Sequence, residues 1–357
     1  FKESFSLFLI SFISFSQDIL FSYFFCYDSK EFKIFKGNIM IDYPIAKYLE
    51  LSDYKAPKDV NSIYIRMPDN KRLRLMYWKN NNFKKNNNGT ILLQQGHNEF
   101  IEKYFETIQE FLNRGFNVVS FDWRGQGLSD KMINNEHKQY VEDFNIHEAD
   151  LKFIIKEFID KNFEKPLIGI GHSMGGCIIL SFLKKNTQIF EKVILSAPML
   201  GFNNEKFLLP VITLINKFSS DKNYLIGSRP NMGRETPFNN NDLTSDKFRY
   251  KRTQALVRKL PNIRLWGITK GWFRAVKNKL FEIRKKGWAE NIKTKILFIN
   301  NINDRVVSSK HISIMNDRLP NSRVKEFYKT EHEIFMEKDK YRNLMWNEID
   351  NFIKNDL

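Results

Sequence analysis

The chain alternates short apolar runs with longer segments of helical periodicity from residue 62 onward. Ser62–Met67 and Leu73–Trp78 alternate apolar and polar positions around a polar turn, which predicts a β-hairpin. The later apolar runs are nearly continuous, as in strands buried on both faces. We therefore predict an α/β fold, with a mostly parallel sheet and helices on both faces. Its strands are predicted at Thr90–Gln95, Asn117–Phe121, Pro166–Ile170, Lys192–Ser196, Lys295–Asn300 and Arg323–Tyr328.

The strand series is interrupted over residues 201–290, and this segment predicts a helical cap inserted into the sheet domain. Trp272, Val276, Leu280 and Ile283 recur at spacings of four, four and three, which places them on one helix face. The segment holds 19 Lys and Arg against 7 Asp and Glu, in a chain of net charge +16. Such a basic surface is either a solvated face or attracts phosphate-rich partners, an anionic lipid surface or nucleic acid.

Outside the cap, we predict an N-terminal extension and a core that the cap divides into two parts. Residues 1–39 are rich in Phe and Ser, and their longest uncharged run, Ser4 to Gln17, is too short to span a bilayer. We expect this N-terminal extension to be either non-native or disordered, with Met40 as the true start. The first part of the core is then predicted over residues 40–200 and the second part over residues 291–357.

The most specific motif runs from Gly171 to Gly175, with Ser173 at its centre. It lies between a strand-like run and an apolar helical segment, which is the context that a nucleophile elbow requires. Small residues on both sides of the serine allow the strand and the helix to approach closely. We therefore predict that Ser173 is a catalytic nucleophile at the carboxyl edge of the sheet.

A serine hydroxyl needs a base, and the base needs an acid that orients it. Two histidines follow Ser173, namely His311 in a predicted helix and His332 directly after the last predicted strand. His332 has the position expected of the base. Asp304 is the acid in the loop after the strand Lys295–Asn300. We predict the triad Ser173, Asp304 and His332.

The oxyanion of an acyl-transfer intermediate needs hydrogen-bond donors. We predict the backbone N–H of Met174, directly after the nucleophile, and that of His97, in the loop after strand Thr90–Gln95. The run Asp122–Asp130 is assigned a structural role beside the site. The two cysteines of the chain exclude a disulfide framework, and cysteine and histidine are too few and too scattered for a zinc or iron–sulfur site.

These motifs together resemble those of the serine α/β-hydrolases. The loop at 96–99, the run Asp122–Ser129, the elbow, the segment Asp304–Val307 and the pair His332-Glu333 occur in the family's order. The pattern is most similar to the lysophospholipase L2 and monoacylglycerol lipase-like group, over about residues 60–357. One departure is Gln95-Gly96, where many relatives carry His-Gly, and it leaves the backbone donor in place.

The resemblance implies an α/β-hydrolase fold and a carboxylic ester hydrolase that cleaves the fatty-acyl ester of a single-chain lipid, a lysophospholipid or a monoacylglycerol. It implies no metal and no organic cofactor. Trp272, Val276 and Leu280 are expected to line the acyl-binding site under the cap. We expect a cytoplasmic enzyme that contacts the inner face of an anionic membrane through its basic cap, with Trp266, Trp272 and Trp288. We expect no nucleic acid partner.

Two other functions stay open at this point. A serine aminopeptidase of the prolyl-aminopeptidase type shares the fold and triad, but it needs acidic residues in the cap, and this cap has few. A non-catalytic lipid-binding protein on the same fold would have no reason to keep an ordered triad. The sequence supports no inference on head group, acyl length or oligomeric state.

Overall fold

The computed structural model describes residues 32–36, 39–80, 88–226 and 234–355. Most of the predicted extension, residues 1–39, lies outside the described residues. Strand β1 (Phe32–Lys36) pairs antiparallel with β2 (Ile39–Tyr43), so a hairpin occupies the end of that segment. Within the described ranges, no helix is both long enough and apolar enough to cross a bilayer.

Strands and helices alternate along the described chain. The strands after the hairpin are β3 (Asn61–Arg66), β4 (Arg72–Trp78), β5 (Thr90–Gln94), β6 (Asn117–Phe121), β7 (Lys138–Gln139), β8 (Leu167–His172), β9 (Lys192–Ser196), β10 (Gly267–Ile268), β11 (Lys295–Asn301) and β12 (Ser322–Phe327). The helices are α1 (Phe105–Asn113), α2 (Asn145–Ile154), α3 (Asp160–Asn162), α4 (Ser173–Leu183), α5 (Glu205–Ile215), α6 (Lys247–Lys259), α7 (Lys270–Ile283), α8 (Ser309–Asn316) and α9 (Asp339–Lys354).

Eight of these strands form one sheet in the order β12-β11-β9-β8-β5-β6-β4-β3. Strand β4 pairs antiparallel with β3 and β6, and the other neighbours in the sheet are parallel. This confirms the predicted α/β class with a mostly parallel sheet. Strands β6 and β9 have the predicted bounds, and the other six predicted strands differ by one or two residues at an end, whereas β1, β2, β7 and β10 were not predicted.

The sheet is buried on both faces, as the continuous apolar runs predict. Along β11, Ile296 and Phe298 belong to one hydrophobic cluster, whereas Leu297 and Ile299 belong to the other. Side chains alternate between the two faces of a strand, so each cluster covers one face. The helices that separate the parallel strands shield the sheet from water on both sides.

The segment between β9 and β11 adds no strand to the eight-stranded sheet in its described part. It forms α5, α6 and α7, and its short strand β10 pairs with β7 instead. On α7, Trp272, Val276, Leu280 and Ile283 are all buried, as their spacing predicts. The exact boundaries of the cap, residues 201–290, stay a prediction.

Candidate active site

Ser173 is the first residue of α4 and follows directly on β8, with a left-handed φ of 49°. Glycines make this tight turn feasible. A Cβ on Gly171 would lie 2.7 Å from the backbone nitrogen of Gly176, and one on Gly175 would lie 2.6 Å from the carbonyl oxygen of Gln95. Strand β8, helix α4 and the loop after β5 therefore meet at Ser173. This residue is only 7% exposed.

The predicted acid and base are in contact. The Nδ1 atom of His332 lies 2.6 Å from Oδ2 of Asp304, and both residues are buried. The other carboxylate oxygen of Asp304 accepts the backbone N–H groups of Val306 at 2.7 Å and Val307 at 3.0 Å. With Asp304 ionised, Nδ1 of His332 carries the proton, which leaves Nε2 free to accept one.

The loop that carries His332 is held by residues of β11 and the cap. The side-chain amide of Asn301 donates to the carbonyl oxygens of Glu331 at 2.6 Å and His332 at 3.0 Å. The N–H of His332 donates to the Asp242 carbonyl at 3.4 Å. The backbone around the base is thus fixed from two sides. His311, the other histidine after Ser173, pairs instead with Glu205 of the cap, at 3.3 Å.

The loop after β5 is pressed against the serine. A Cβ on Gly96 would stand 3.0 Å from the Cβ of Ser173. The N–H of His97 donates to no acceptor among the described residues, and Met174 lies in the first turn of α4, whose N–H groups have no partner in the helix. These are the two predicted oxyanion donors, and their role stays a prediction.

The run Asp122–Asp130 holds the loop after β5 in place through hydrogen bonds. The indole N–H of Trp123 donates to the carbonyl of Gln95 at 2.8 Å, and Gln126 bonds to the backbone of Gly96 and Asn98. Asp122 itself lies 2.7 Å from the buried guanidinium of Arg74. The assigned structural role of this run agrees with these contacts.

Two histidines that line the cavity with Ser173, His97 and His172, are neutral. Burial lowers the pKa of His97 to about 4 and that of His172 to about 3, although the nearby carboxylate of Glu99 opposes the shift in both. His97 packs its ring on Trp272, with centroids 4.7 Å apart. His172 packs at 4.7 Å on His332, so a neutral ring adjoins the base.

A buried ion cluster adjoins the site and was not predicted. The ammonium of Lys103 lies 2.5 Å from Glu99 and 2.6 Å from Glu333. Glu99, Glu333 and His172 place donor atoms within 4.8 Å of one another, as a metal site could. Lys103 already contacts both carboxylates, and it supplies the positive charge that a cation would bring. The only sequence signal was the four-residue spacing of Glu99 and Lys103.

A cavity of about 230 Å³ contains Ser173 and His332. Its apolar lining is Phe100, Leu243, Val257 and Val306, and its polar lining includes Arg264, which was also not predicted. The predicted acyl-binding residues lie elsewhere. Trp272 covers His97, while Val276 and Leu280 pack into the core beneath α7, and none of the three lines this cavity. An apolar helix stripe marks burial, and here the stripe is buried against the sheet domain.

Comparison with known families identifies the chain. Residues 85–339 match the family described as serine aminopeptidase, S33 (Hydrolase_4), which is more than half of the sequence. The chain belongs to this family. The family and the architecture above also confirm the α/β-hydrolase fold.

Individual proteins to which the chain is similar are lysophospholipases and a monoglyceride lipase. The chain is similar to the probable lysophospholipase L2 of Haemophilus influenzae, with 26% identity over 74% of this chain and 83% of that protein. It is 26% identical to lysophospholipase L2 of Escherichia coli K12, over 73% of this chain and 79% of that one. A solved structure of a soluble variant of Saccharomyces cerevisiae monoglyceride lipase with a substrate analogue superimposes with a TM-score of 0.66, at 19% identity, over 85% and 99% of the two chains.

Proposed function

We propose that this chain hydrolyses the fatty-acyl ester of a single-chain lipid through an acyl-enzyme on Ser173. The observation that carries the proposal is that His332, which lines the same cavity as Ser173, contacts Asp304 through its Nδ1 atom. The chain is a carboxylic ester hydrolase, as its lysophospholipase and monoacylglycerol lipase relatives are. The acyl-enzyme and the choice of lipid are the proposed part.

In the acylation step, the hydroxyl oxygen of Ser173 attacks the ester carbonyl while Nε2 of His332 takes its proton. Asp304 keeps the imidazole in the required tautomer and stabilises the imidazolium through Nδ1. The backbone N–H groups of His97 and Met174 stabilise the oxyanion. The imidazolium then protonates the leaving glyceryl oxygen, the ester C–O bond breaks, and the acyl group stays on Ser173.

Deacylation repeats these steps with water as the nucleophile. His332 takes a proton from water, whose oxygen attacks the acyl carbonyl, and the proton then returns to the Ser173 oxygen as the fatty acid leaves. The neutral ring of His172 beside His332 fits this cycle, because a second positive charge there would oppose formation of the imidazolium.

The aminopeptidase alternative needs a free acid to bind a substrate ammonium. Glu99 and Glu333 line the cavity, and this observation favours that alternative. Both carboxylates are nevertheless bound to Lys103, which an incoming amino group would have to displace at the cost of burying an unpaired lysine. The ester substrate needs no such displacement, and we therefore prefer it.

We further propose that the cap contacts an anionic lipid surface, with different side chains from those expected. Trp272 and Trp288 are buried, and Trp266 stacks on His137 with ring centroids 3.8 Å apart. The exposed aromatic residues of the cap are phenylalanines instead. Phe207, Phe218 and Phe281 are 81%, 94% and 70% exposed.

Basic side chains flank this apolar surface. Lys277 bridges α7 to α5 through a 3.3 Å bond with Thr213, and Lys285 lies 5.2 Å from the ring centre of Phe281. Exposed aromatic side chains with basic neighbours are a combination that binds anionic interfaces. A single-chain lipid substrate would be drawn from such a surface.

The experiment that tests the proposed reaction is a substrate panel on the purified wild-type chain. It includes a lysophospholipid, a monoacylglycerol, a short p-nitrophenyl ester and an aminoacyl amide. The proposal predicts release of fatty acid from at least one of the two lipids with a kcat/KM above that for the aminoacyl amide. Faster cleavage of the amide would replace it with the aminopeptidase, and the absence of all cleavage would leave a binding protein.

A further inference from the structure

The cavity at Ser173 contains an arginine without an acidic partner. Four fully charged side chains line this cavity, and three of them, Glu99, Lys103 and Glu333, contact one another in the cluster described above. The fourth is Arg264. Its guanidinium donates to the side-chain oxygen of Gln254 at 3.2 Å, and it forms no ion pair with any acid in the described part of the chain.

The backbone holds Arg264 in a fixed direction. The residue is extended, with φ −108° and ψ 142°, and its neighbours Ile263 and Leu265 are each only 1% exposed. The buried side chains of these two neighbours fix the backbone on both sides of Arg264, whose own side chain lines the cavity. The N–H of Leu265 donates to the Asn98 side chain at 2.7 Å. The arginine is thereby tied to the loop that carries the predicted oxyanion donor His97.

The electrostatics of this position favour an anion. Burial lowers the pKa of Arg264, although Tyr250, Glu235 and Glu333 partly oppose this from a distance. A guanidinium that has lost water and gained no carboxylate is stabilised by a ligand that restores its lost hydrogen bonds. Its planar fork matches two oxygens of a phosphate group.

We propose that Arg264 binds the phosphodiester of a lysophospholipid and so makes this lipid the preferred substrate over a monoacylglycerol. The inference rests on the lipid ester hydrolysis proposed above and names its substrate class. In this proposal the ester lies at Ser173 and the phosphoglycerol end of the lipid lies beside Arg264, which lines the same cavity. A monoacylglycerol places only a hydroxyl there and leaves the cation without an anion.

The test compares two substrates that share one acyl chain, a lysophosphatidylethanolamine and a monoacylglycerol. For each variant the measured quantity is the ratio of the two kcat/KM values. Arg264→Gln should lower the preference for the phospholipid on the order of 10- to 100-fold, the range expected for a hydrogen-bonded charge. Arg264→Lys should retain part of the preference because it keeps the charge but loses the fork. Arg66→Gln, the same change on an exposed residue of β3, should leave the ratio unchanged.

Inhibition of the wild-type enzyme gives a second measurement that does not depend on the folding of a variant. Glycerophosphoethanolamine should compete with monoacylglycerol far better than glycerol does. The inference is overturned if the two inhibit alike, or if Arg264→Gln lowers both kcat/KM values by the same factor. If the wild type cleaves neither lipid, the proposed function itself fails and the inference fails with it.

Discussion

Gly96 and Ser173 are packed against each other, so that a Cβ added to Gly96 would lie 3.0 Å from the Cβ of the serine. The same Cβ would lie 2.8 Å from Glu99 and 3.2 Å from His172. The loop that carries His97 thus reaches the nucleophile because residue 96 has no side chain.

Gly96→Ala should therefore push this loop and its oxyanion donor away from Ser173. We expect kcat to fall on the order of 10²- to 10³-fold, as when one oxyanion donor is lost, with a smaller change in KM. Steady-state kinetics on a short p-nitrophenyl ester measure both. Gly287→Ala has open space around its Cβ but a left-handed φ of 81°, so it controls for backbone strain that is introduced away from the site. Unchanged kcat in Gly96→Ala would remove this loop from the oxyanion site.

Asp304→Asn should keep the fold and lose the activity. The amide replaces an oxygen that accepts from Val306 and Val307 or from His332, so one of these donors faces an NH₂ group and the imidazole tautomer is no longer fixed. We expect kcat to fall on the order of 10⁴-fold, as in other triads. Combining it with His332→Ala should add little further loss, since the residues act as a unit. Independent, multiplying losses would contradict the triad.

A cluster around Glu106 should make the attachment of the cap sensitive to pH. Glu106 on α1 binds Arg249 and Arg252 of α6 and Arg342 of α9, at 2.5, 2.6 and 2.7 Å. Burial opposes its ionisation, but the hydrogen bond from Arg249 and the charges of Arg342 and Arg252 outweigh it and lower its pKa from 4.5 to about 2. A lowered carboxyl pKa gives stability that is present above about pH 4.5 and is lost as pH falls toward 2.

Glu106→Gln should accordingly be less stable than the wild type at about pH 6, and the difference should shrink at about pH 3.5. Urea unfolding followed by circular dichroism at both pH values measures this difference. Glu191→Gln, on an exposed residue, should show no such difference. A wild-type advantage that is the same at both pH values would mean that the Glu106 cluster does not contribute through its charge.

The proposed membrane surface predicts two separable effects on vesicle binding. Replacing Lys277, Lys285 and Lys286 with Gln should weaken binding to anionic vesicles by about 1 kcal/mol per residue, and raised salt should do the same. Replacing Phe207 and Phe218 with Ser should weaken binding to anionic and zwitterionic vesicles alike, because it removes apolar contact.

The control triple Lys58, Lys152 and Lys325 to Gln removes the same charge from exposed positions outside the cap. It should reduce binding less than the cap triple does. Trp272→Phe should leave vesicle binding unchanged, because Trp272 is buried. Equal effects of the two lysine triples would mean that net charge, and not the cap surface, controls binding.

The sequence predicted those features that depend on local pattern and chain order. Continuous apolar runs marked the strands, as at β6 and β9, because both faces of the sheet are buried. Asp304 and His332 were predicted as the acid and the base from their loop positions. In the structure, Oδ2 of Asp304 lies 2.6 Å from Nδ1 of His332. Parallel strands bring their carboxyl ends to one edge, so order along the chain becomes proximity in space.

Features that depend on tertiary partners could not be predicted in this way. The Lys103–Glu333 pair joins residues that are 230 positions apart in the chain, and no local sequence pattern predicts it. Arg264 is one of many basic residues in the cap, and what distinguishes it is its position in the cavity wall without an ion-pair partner among the described residues. The stripe on α7 was correctly predicted as one face of a helix, but periodicity does not say whether such a face contacts substrate or core. The structure places it on the core.

The most direct test of an acyl-enzyme on Ser173 compares wild type and Ser173→Ala on the lipid that the wild type cleaves best. The acyl-enzyme mechanism predicts that the variant folds as the wild type does and loses on the order of 10⁴-fold or more in kcat. A fluorophosphonate should label the wild type at Ser173, as mass spectrometry of its peptides would show, and should not label the variant. Retained activity in Ser173→Ala, or labelling at another residue, would contradict the acyl-enzyme at Ser173.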